Sequence, residues 1–72
     1  MNKIQNEEIT AAKLIQMTEN KVGVIIRYCG ERFDVERARD NGYGAIEIFN
    51  YHGDCHGLGL DGEVEVLGYF NL

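Results

Sequence analysis

Apolar positions along this chain fall into one helical stripe followed by several alternating runs. Over residues 7–18, Ala11, Leu14, Ile15 and Thr18 recur at the i, i+3, i+4, i+7 spacing of a single helix face, with Ile4 one repeat ahead. Asn6 stands where an N-cap belongs, Glu7 and Glu8 place negative charge in the first turn, and Asn20 offers a stop. Together these signals predict a helix over residues 7–18. Three turns are marginal alone, so the stripe must dock on something.

The remaining pattern predicts a sheet for it to dock on. Residues 22–28 are rich in β-branched side chains and are followed by Cys29-Gly30 and a second extended stretch, residues 31–37. With Cys29-Gly30 as a two-residue turn, Ile26 faces Phe33 and Val24 faces Val35. Arg27–Arg32 and Ile25–Asp34 then share the opposite face. Cysteine suits a positive-φ turn poorly, which leaves a bulged variant open. A rival reading makes residues 35–40 a short helix capped by Asp34, but its apolar content is only Val35 and Ala38. The hairpin is the better account.

Asp40-Asn41-Gly42 marks a turn. A third strand is expected over residues 44–51 with Ile46 and Ile48 inward, and a fourth over residues 62–71 with Val64, Val66 and Phe70 inward. Between them lies a glycine-rich loop, residues 51–62, longer than a hairpin requires. The fold this predicts is α+β: one N-terminal helix packed on a small antiparallel sheet of about four strands, a single domain over residues 1–72. The fourth strand could pair with the third or, after crossing over, with the first.

Size and composition narrow the class. A chain of 72 residues buries little surface, and such scaffolds gain from a disulfide, a metal or a second copy of themselves. The hydrophobic fraction of 44% suffices for a core and argues against disorder. No apolar run reaches membrane-spanning length, and the polar, acidic start lacks a signal-peptide hydrophobic region. Two cysteines are too few for a secreted disulfide framework, so the expected setting is the cytoplasm, with reduced thiols.

Charge is divided along the chain. From Asp40 onward there are six acids and no lysine or arginine, so the net charge of −5 arises in the second half. Such a field repels phosphate and favours basic partners. Alternation sets Glu47, Phe49, Tyr51, Glu63, Glu65, Leu67 and Tyr69 on the outer face of the expected sheet, with Asp61 beside them. The partner-binding residues expected are therefore Glu47, Phe49, Tyr51, Asp61, Glu63, Glu65 and Tyr69, meeting a basic surface of a partner such as a nucleic-acid-binding protein or nuclease. Arg27, Arg32, Arg37 and Arg39 are interleaved with Glu31, Asp34 and Glu36, which speaks against direct nucleic-acid binding.

The loop carries the other candidate chemistry. His52, Cys55 and His56 form H-x2-C-H, and a meander would bring Cys29 to the same end of the sheet. Cys29, His52, Cys55 and His56 are thus a candidate Cys2His2 zinc set; the bland alternative is two exposed imidazoles and a small thiol in a turn. No cofactor is otherwise expected. A Cys–His nucleophile would need an oxyanion hole and a substrate cleft, and no catalytic residue is assigned; the chain is not read as an enzyme. Gly57-Leu58-Gly59-Leu60-Asp61-Gly62 matches G-x-G-x-x-G, but an alternating strand follows it instead of a helix, so no dinucleotide site is expected.

In size, acidity and lack of a catalytic motif the chain resembles the small inhibitor proteins that phages make against host nucleases, anti-CRISPR proteins and DNA mimics among them. The likeness is one of general character, with no motif shared residue by residue. It implies occlusion of a nucleic-acid channel or catalytic domain, with Glu47, Asp61, Glu63 and Glu65 standing in for phosphates and Phe49, Tyr51 and Tyr69 as anchors. The leading expectation is a non-enzymatic acidic protein-binding module, an inhibitor of this type. The alternatives are a structural zinc or thiol module built on the loop, and a homodimer that buries the Phe49/Leu67/Tyr69 face or pairs an edge strand.

Overall fold

Two sheets joined by one interrupted stretch of strand make up the fold. The structure, a computed structural model, describes residues 7–72. In chain order these form β1 (Glu8–Thr10), α1 (Lys13–Glu19), β2 (Val22–Tyr28), β3 (Glu31–Val35), β4 (Arg37–Asp40), β5 (Ala45–Phe49), β6 (Cys55–Gly59) and β7 (Glu63–Asn71). One sheet has the order β1-β7-β2-β3 and the other β4-β5-β6. β3 and β4 are separated only at Glu36, so the chain leaves the first sheet and enters the second almost without a break.

This is a strand-dominated fold of two antiparallel sheets, which overturns the expected α+β arrangement of a helix on one sheet. Among the described residues the helical stripe starts only at Ala11, and the residues before it carry a different pattern. Ile9, with exposed neighbours Glu8 and Thr10, reads as a strand, and strand wins because β7 offers it a partner. Ile9 pairs with Val64 and is buried, and the Glu7 carbonyl accepts from the Val66 N–H at 2.7 Å. The helix is left with seven residues and begins at Lys13 without a side-chain cap. Of the expected stripe, Leu14 and Thr18 are buried from the helix and Ala11 from the preceding turn, while Ile15 is half-buried. Asn6 and Ile4 lie outside the described residues.

The first hairpin has the register its apolar residues dictate. Ile26 pairs with Phe33, Val24 with Val35, Arg27 with Arg32 and Ile25 with Asp34. Its turn is unbulged: Cys29 and Gly30 both take positive φ, at 51° and 79°. The second extended stretch does not stop at residue 37, however, but is divided between two sheets.

Two further expectations fail. The long loop of residues 51–62 contains β6, whose glycines hide its strand character. And Phe70 does not point inward. The β2–β7 register shifts between Ile25 and Ile26, inserting Leu67 as an extra residue, and one inserted residue exchanges the two faces. Phe70 therefore lies over Gly23, where a Cβ would come within 2.3 Å of its ring.

The core sits between the sheets. Leu14, Val24, Ile26, Val35, Ile46, Leu58 and Val64 are its fully buried side chains, drawn from α1 and both sheets. α1 packs against β2 of one sheet and β4 of the other, so it bridges them. Each large core side chain contributes roughly 1.5–3 kcal/mol, several times what a surface ion pair supplies. Core packing, not the three exposed Arg–carboxylate pairs seen among the described residues, holds the sheets together.

Candidate protein interface

The expected acidic–aromatic face does not exist as one surface. Glu47 and Phe49 lie on β5 in the three-stranded sheet, while Glu63, Glu65 and Tyr69 lie on β7 in the four-stranded one. The acids of the second half are also partly neutralised by bases of the first. Arg39 pairs with Glu47 at 2.7 Å directly across the β4–β5 ladder, and Arg27 with Glu65 at 3.3 Å across β2–β7. Arg37 and Arg39 lie over the Phe49 ring, at 4.5 and 5.3 Å from its centroid. A charge division along the sequence therefore does not become a charge division in space. Asp61 is exposed in the β6–β7 turn, and Glu63 is exposed on β7 opposite Thr10. The Tyr69 hydroxyl donates to Glu7 Oε1 at 2.6 Å, and that bond, with some burial and the carboxylate's charge, raises its pKa above the usual 10.0.

The four candidate metal ligands are likewise dispersed. Among the described residues no group of three or more His, Cys, Asp or Glu is placed to hold a metal ion. Cys29 is in the β2–β3 turn, and both cysteines are free and exposed. His52 packs against Tyr51 with ring centroids 4.0 Å apart. His56 follows Ile48 to the inner side of its sheet and rests on Phe33 at 4.6 Å. The Gly57–Gly62 stretch passes from β6 through a turn into β7, a strand, and offers no helix N-terminus.

What the fold does create is a groove of about 730 Å³ between β3 and the β5–β6 turn. It follows from where β5 ends. A two-residue hairpin closes on a hydrogen-bonded pair, here Tyr28 and Glu31, so Glu31, Phe33 and Val35 direct their backbone groups at β2 while Arg32 and Asp34 direct theirs away. Glu36 has the same parity, and its N–H donates to the Phe49 carbonyl at 2.8 Å on the β5 side. Had β5 continued in the β4–β5 register, its next residues would have run alongside Asp34 and Arg32.

Instead the chain turns back at Asn50. Its Oδ1 accepts from the N–H groups of His52 and Asp54, each at 3.0 Å, and its Nδ2 donates to Asp54 Oδ2 at 3.3 Å. Gly53, at φ 85°, completes the reversal. The lane beside β3 stays open. Its walls carry Phe33, Phe49, Tyr51, His52, Cys55 and His56, with Ile25 and Phe70 at one side. Arg32, Asp34, Glu36 and Asp54 supply its formal charges, three carboxylates against one guanidinium, and Arg32 is paired with Asp34 at 3.1 Å.

Sequence reasoning found the aromatic and imidazole wall of this groove but not the edge of β3. The signal was present in the hairpin register, which already sets Arg32 and Asp34 on the side away from β2. No family model matches the chain, and no curated protein or solved structure shows a match either. The resemblance to phage inhibitors thus rests on size, acidity and the lack of a catalytic motif alone. No helix among the described residues is long and apolar enough to cross a membrane.

Proposed function

We propose that the chain is a non-enzymatic protein-binding module that takes up an extended, basic segment of a partner as an added strand beside β3. The observation that carries this reading is the early turn of β5, which leaves the backbone N–H and C=O groups of Arg32 and Asp34 facing an open groove. Strand addition draws affinity from main-chain hydrogen bonds and specificity from pockets for alternate side chains. Phe33, Phe49, Tyr51 and Phe70 supply apolar contact for those side chains. Asp34, Glu36 and Asp54 favour cationic ones, and the net charge of −5 steers a basic partner toward the domain. In the same reading the compartment is the cytoplasm, where two exposed free thiols stay reduced.

The test uses short peptides that alternate lysine with valine, titrated into the protein by calorimetry. The basic peptide is expected to bind, its glutamate–valine counterpart not to. A copy N-methylated along one hydrogen-bonding edge should lose most of the affinity, because the main-chain donors are gone. Equal binding of the methylated copy would overturn strand addition, and absence of binding to the basic peptide would overturn the choice of partner. Glu36→Lys should weaken the basic peptide without unfolding the domain, since its side chain is only half-buried.

A further inference from the structure

We infer that β6 is a self-pairing edge, through which two copies of this chain join their three-stranded sheets into one continuous six-stranded sheet. The argument uses a different strand edge from the groove and does not rest on it.

β6 ends the order β4-β5-β6, so among the described residues no strand lies on its other side. The hydrogen bonds at either end of the β5–β6 ladder fix which residues face that side. The Asn50 N–H donates to the Asp54 carbonyl and the Leu60 N–H to the Gly44 carbonyl, so His56 and Leu58 share the parity that faces β5. Cys55, Gly57 and Gly59 therefore turn their backbone groups outward. Among the described residues only the Gly59 carbonyl of these is engaged elsewhere, by the Gly62 N–H at 2.9 Å.

Natural edges are blunted by lysine, proline, a bulge or brevity. Among the other edges, β1 is three residues long and carries Glu8, and β4 carries Arg37, Arg39 and Asp40. β6 has none of these devices. It is five residues long, regular, without a charge, and flat on its outer face, because Gly57 and Gly59 present no side chain there. A Cβ built at Gly57 meets nothing within 4 Å.

The occupant that fits is a second β6. An antiparallel pair about a two-fold axis at Gly57 sets Gly57 against its own copy and Cys55 against the copy's Gly59. The two Gly57 residues exchange two backbone hydrogen bonds, and each Gly59 N–H donates to the facing Cys55 carbonyl, for about four bonds without rearrangement. On the outer face the thiol meets a glycine, so nothing collides. On the inner face His56 meets Leu58, one at the rim and the other an anchor in its own core. No charged residue faces another of like sign within the paired strands, so the registered contact is free of the repulsion that the net charge of −5 imposes at longer range.

The test is sedimentation equilibrium of the full chain over a wide concentration range, with amide hydrogen exchange alongside. A monomer–dimer equilibrium that strengthens with added salt is expected. Gly57→Lys should weaken it by about tenfold or more, because it sets two ammonium groups directly opposite one another. The Gly57 and Gly59 amides should slow as concentration rises, while those of Arg32 and Asp34 stay unchanged, a readout that needs no variant. A chain that remains monomeric at every concentration overturns the inference. So does a dimer whose Gly57 and Gly59 amides keep their exchange rates, since it would be joined elsewhere.

Discussion

The four-stranded and three-stranded sheets are built on different principles. In the four-stranded sheet each long strand carries its own instructions: Phe33 and Val35, like Val64 and Val66, flank an acidic residue, and with Val24 and Ile26 of the β-branched β2 they find one another across the ladders. The three-stranded sheet has less to work with. Its inward side chains are Ala38, Ile46, Ile48 and Leu58, with His56 at the rim, and β6 is two-fifths glycine. What organises it is turn chemistry. Asn41 Oδ1 accepts from the N–H groups of Tyr43 and Ala45, and Asn50 Oδ1 does the same for His52 and Asp54. Both sheets pack side chains into the core, but one is aligned by alternation along its strands and the other by two asparagines that set where its hairpins turn. The early turn at Asn50 leaves the edge of β3 bare in the first sheet, and β6 is an edge of the second; the two proposed interfaces use one each.

Removing the single buried anchor of β6 presses hardest on this contrast. Leu58 is 1% exposed, and Leu58→Ala should cost about 2–5 kcal/mol, a large share of the stability expected of so small a domain. Its effect should also be local. Amide exchange at His56 and Leu58 should approach that of an open strand while Val24 and Ile26 stay protected. Uniform loss of protection across both sheets would show that they unfold as one unit and that the division drawn above has no energetic meaning.

The same contrast explains what could be read from the sequence. The register of the β2–β3 hairpin is legible in the sequence, because apolar positions oppose each other when Cys29-Gly30 is the turn, but the end of β3 at Val35 is not. The turns at Asp40-Asn41-Gly42 and the inward Ile46, Ile48, Val64 and Val66 were legible for the same reason. β6 was not, since Cys-His-Gly-Leu-Gly has one apolar anchor and becomes a strand only because β5 lies beside it. β1 is hidden because Asn6, Glu7 and Glu8 look like a helix start, although Ile9 lies off the Ala11/Leu14/Ile15/Thr18 face; the strand is decided by β7, far along the chain, where Val64 supplies the partner. The bulge at Leu67 was invisible to alternation, and it moved Phe70 to the other face. Of the site, the aromatic and histidine wall could be named, but the acids expected beside it could not be placed, because bases from the first half sit opposite them.

Asn50→Ala is the next most informative change. It removes one side chain that accepts two backbone N–H groups and donates to Asp54, all at an exposed turn. A loss of about 1–2 kcal/mol is expected, smaller than for Leu58 because water replaces part of what is lost. The turn should also stop defining one wall of the groove, so the lysine–valine peptide should bind more weakly than to the wild type even where the domain is fully folded. A full retention of both stability and affinity would mean that the ladder, not the asparagine, sets where β5 ends.

The smallest expected effect lies in the four-stranded sheet and has the opposite sign. Cys29 occupies the first central position of its hairpin turn at φ 51°, where a side chain without local hydrogen bonding is strained by about 1 kcal/mol. Asparagine tolerates this conformation and is favoured before glycine in such turns. Cys29→Asn should therefore stabilise the domain by about 0.5–1 kcal/mol, a rise in Tm of about 2–8 °C for a chain of this size. Cys29→Ala should not, because it keeps the strain. The pair of variants also tests the remaining zinc reading on its own terms: a thiol needed as a ligand would make Cys29→Asn destabilising, and the loss would vanish once a chelator is added. Stabilisation that is indifferent to chelator places Cys29 in the turn for backbone reasons alone, and leaves the four-stranded sheet as the part of the molecule whose energetics follow from side-chain alternation and turn geometry together.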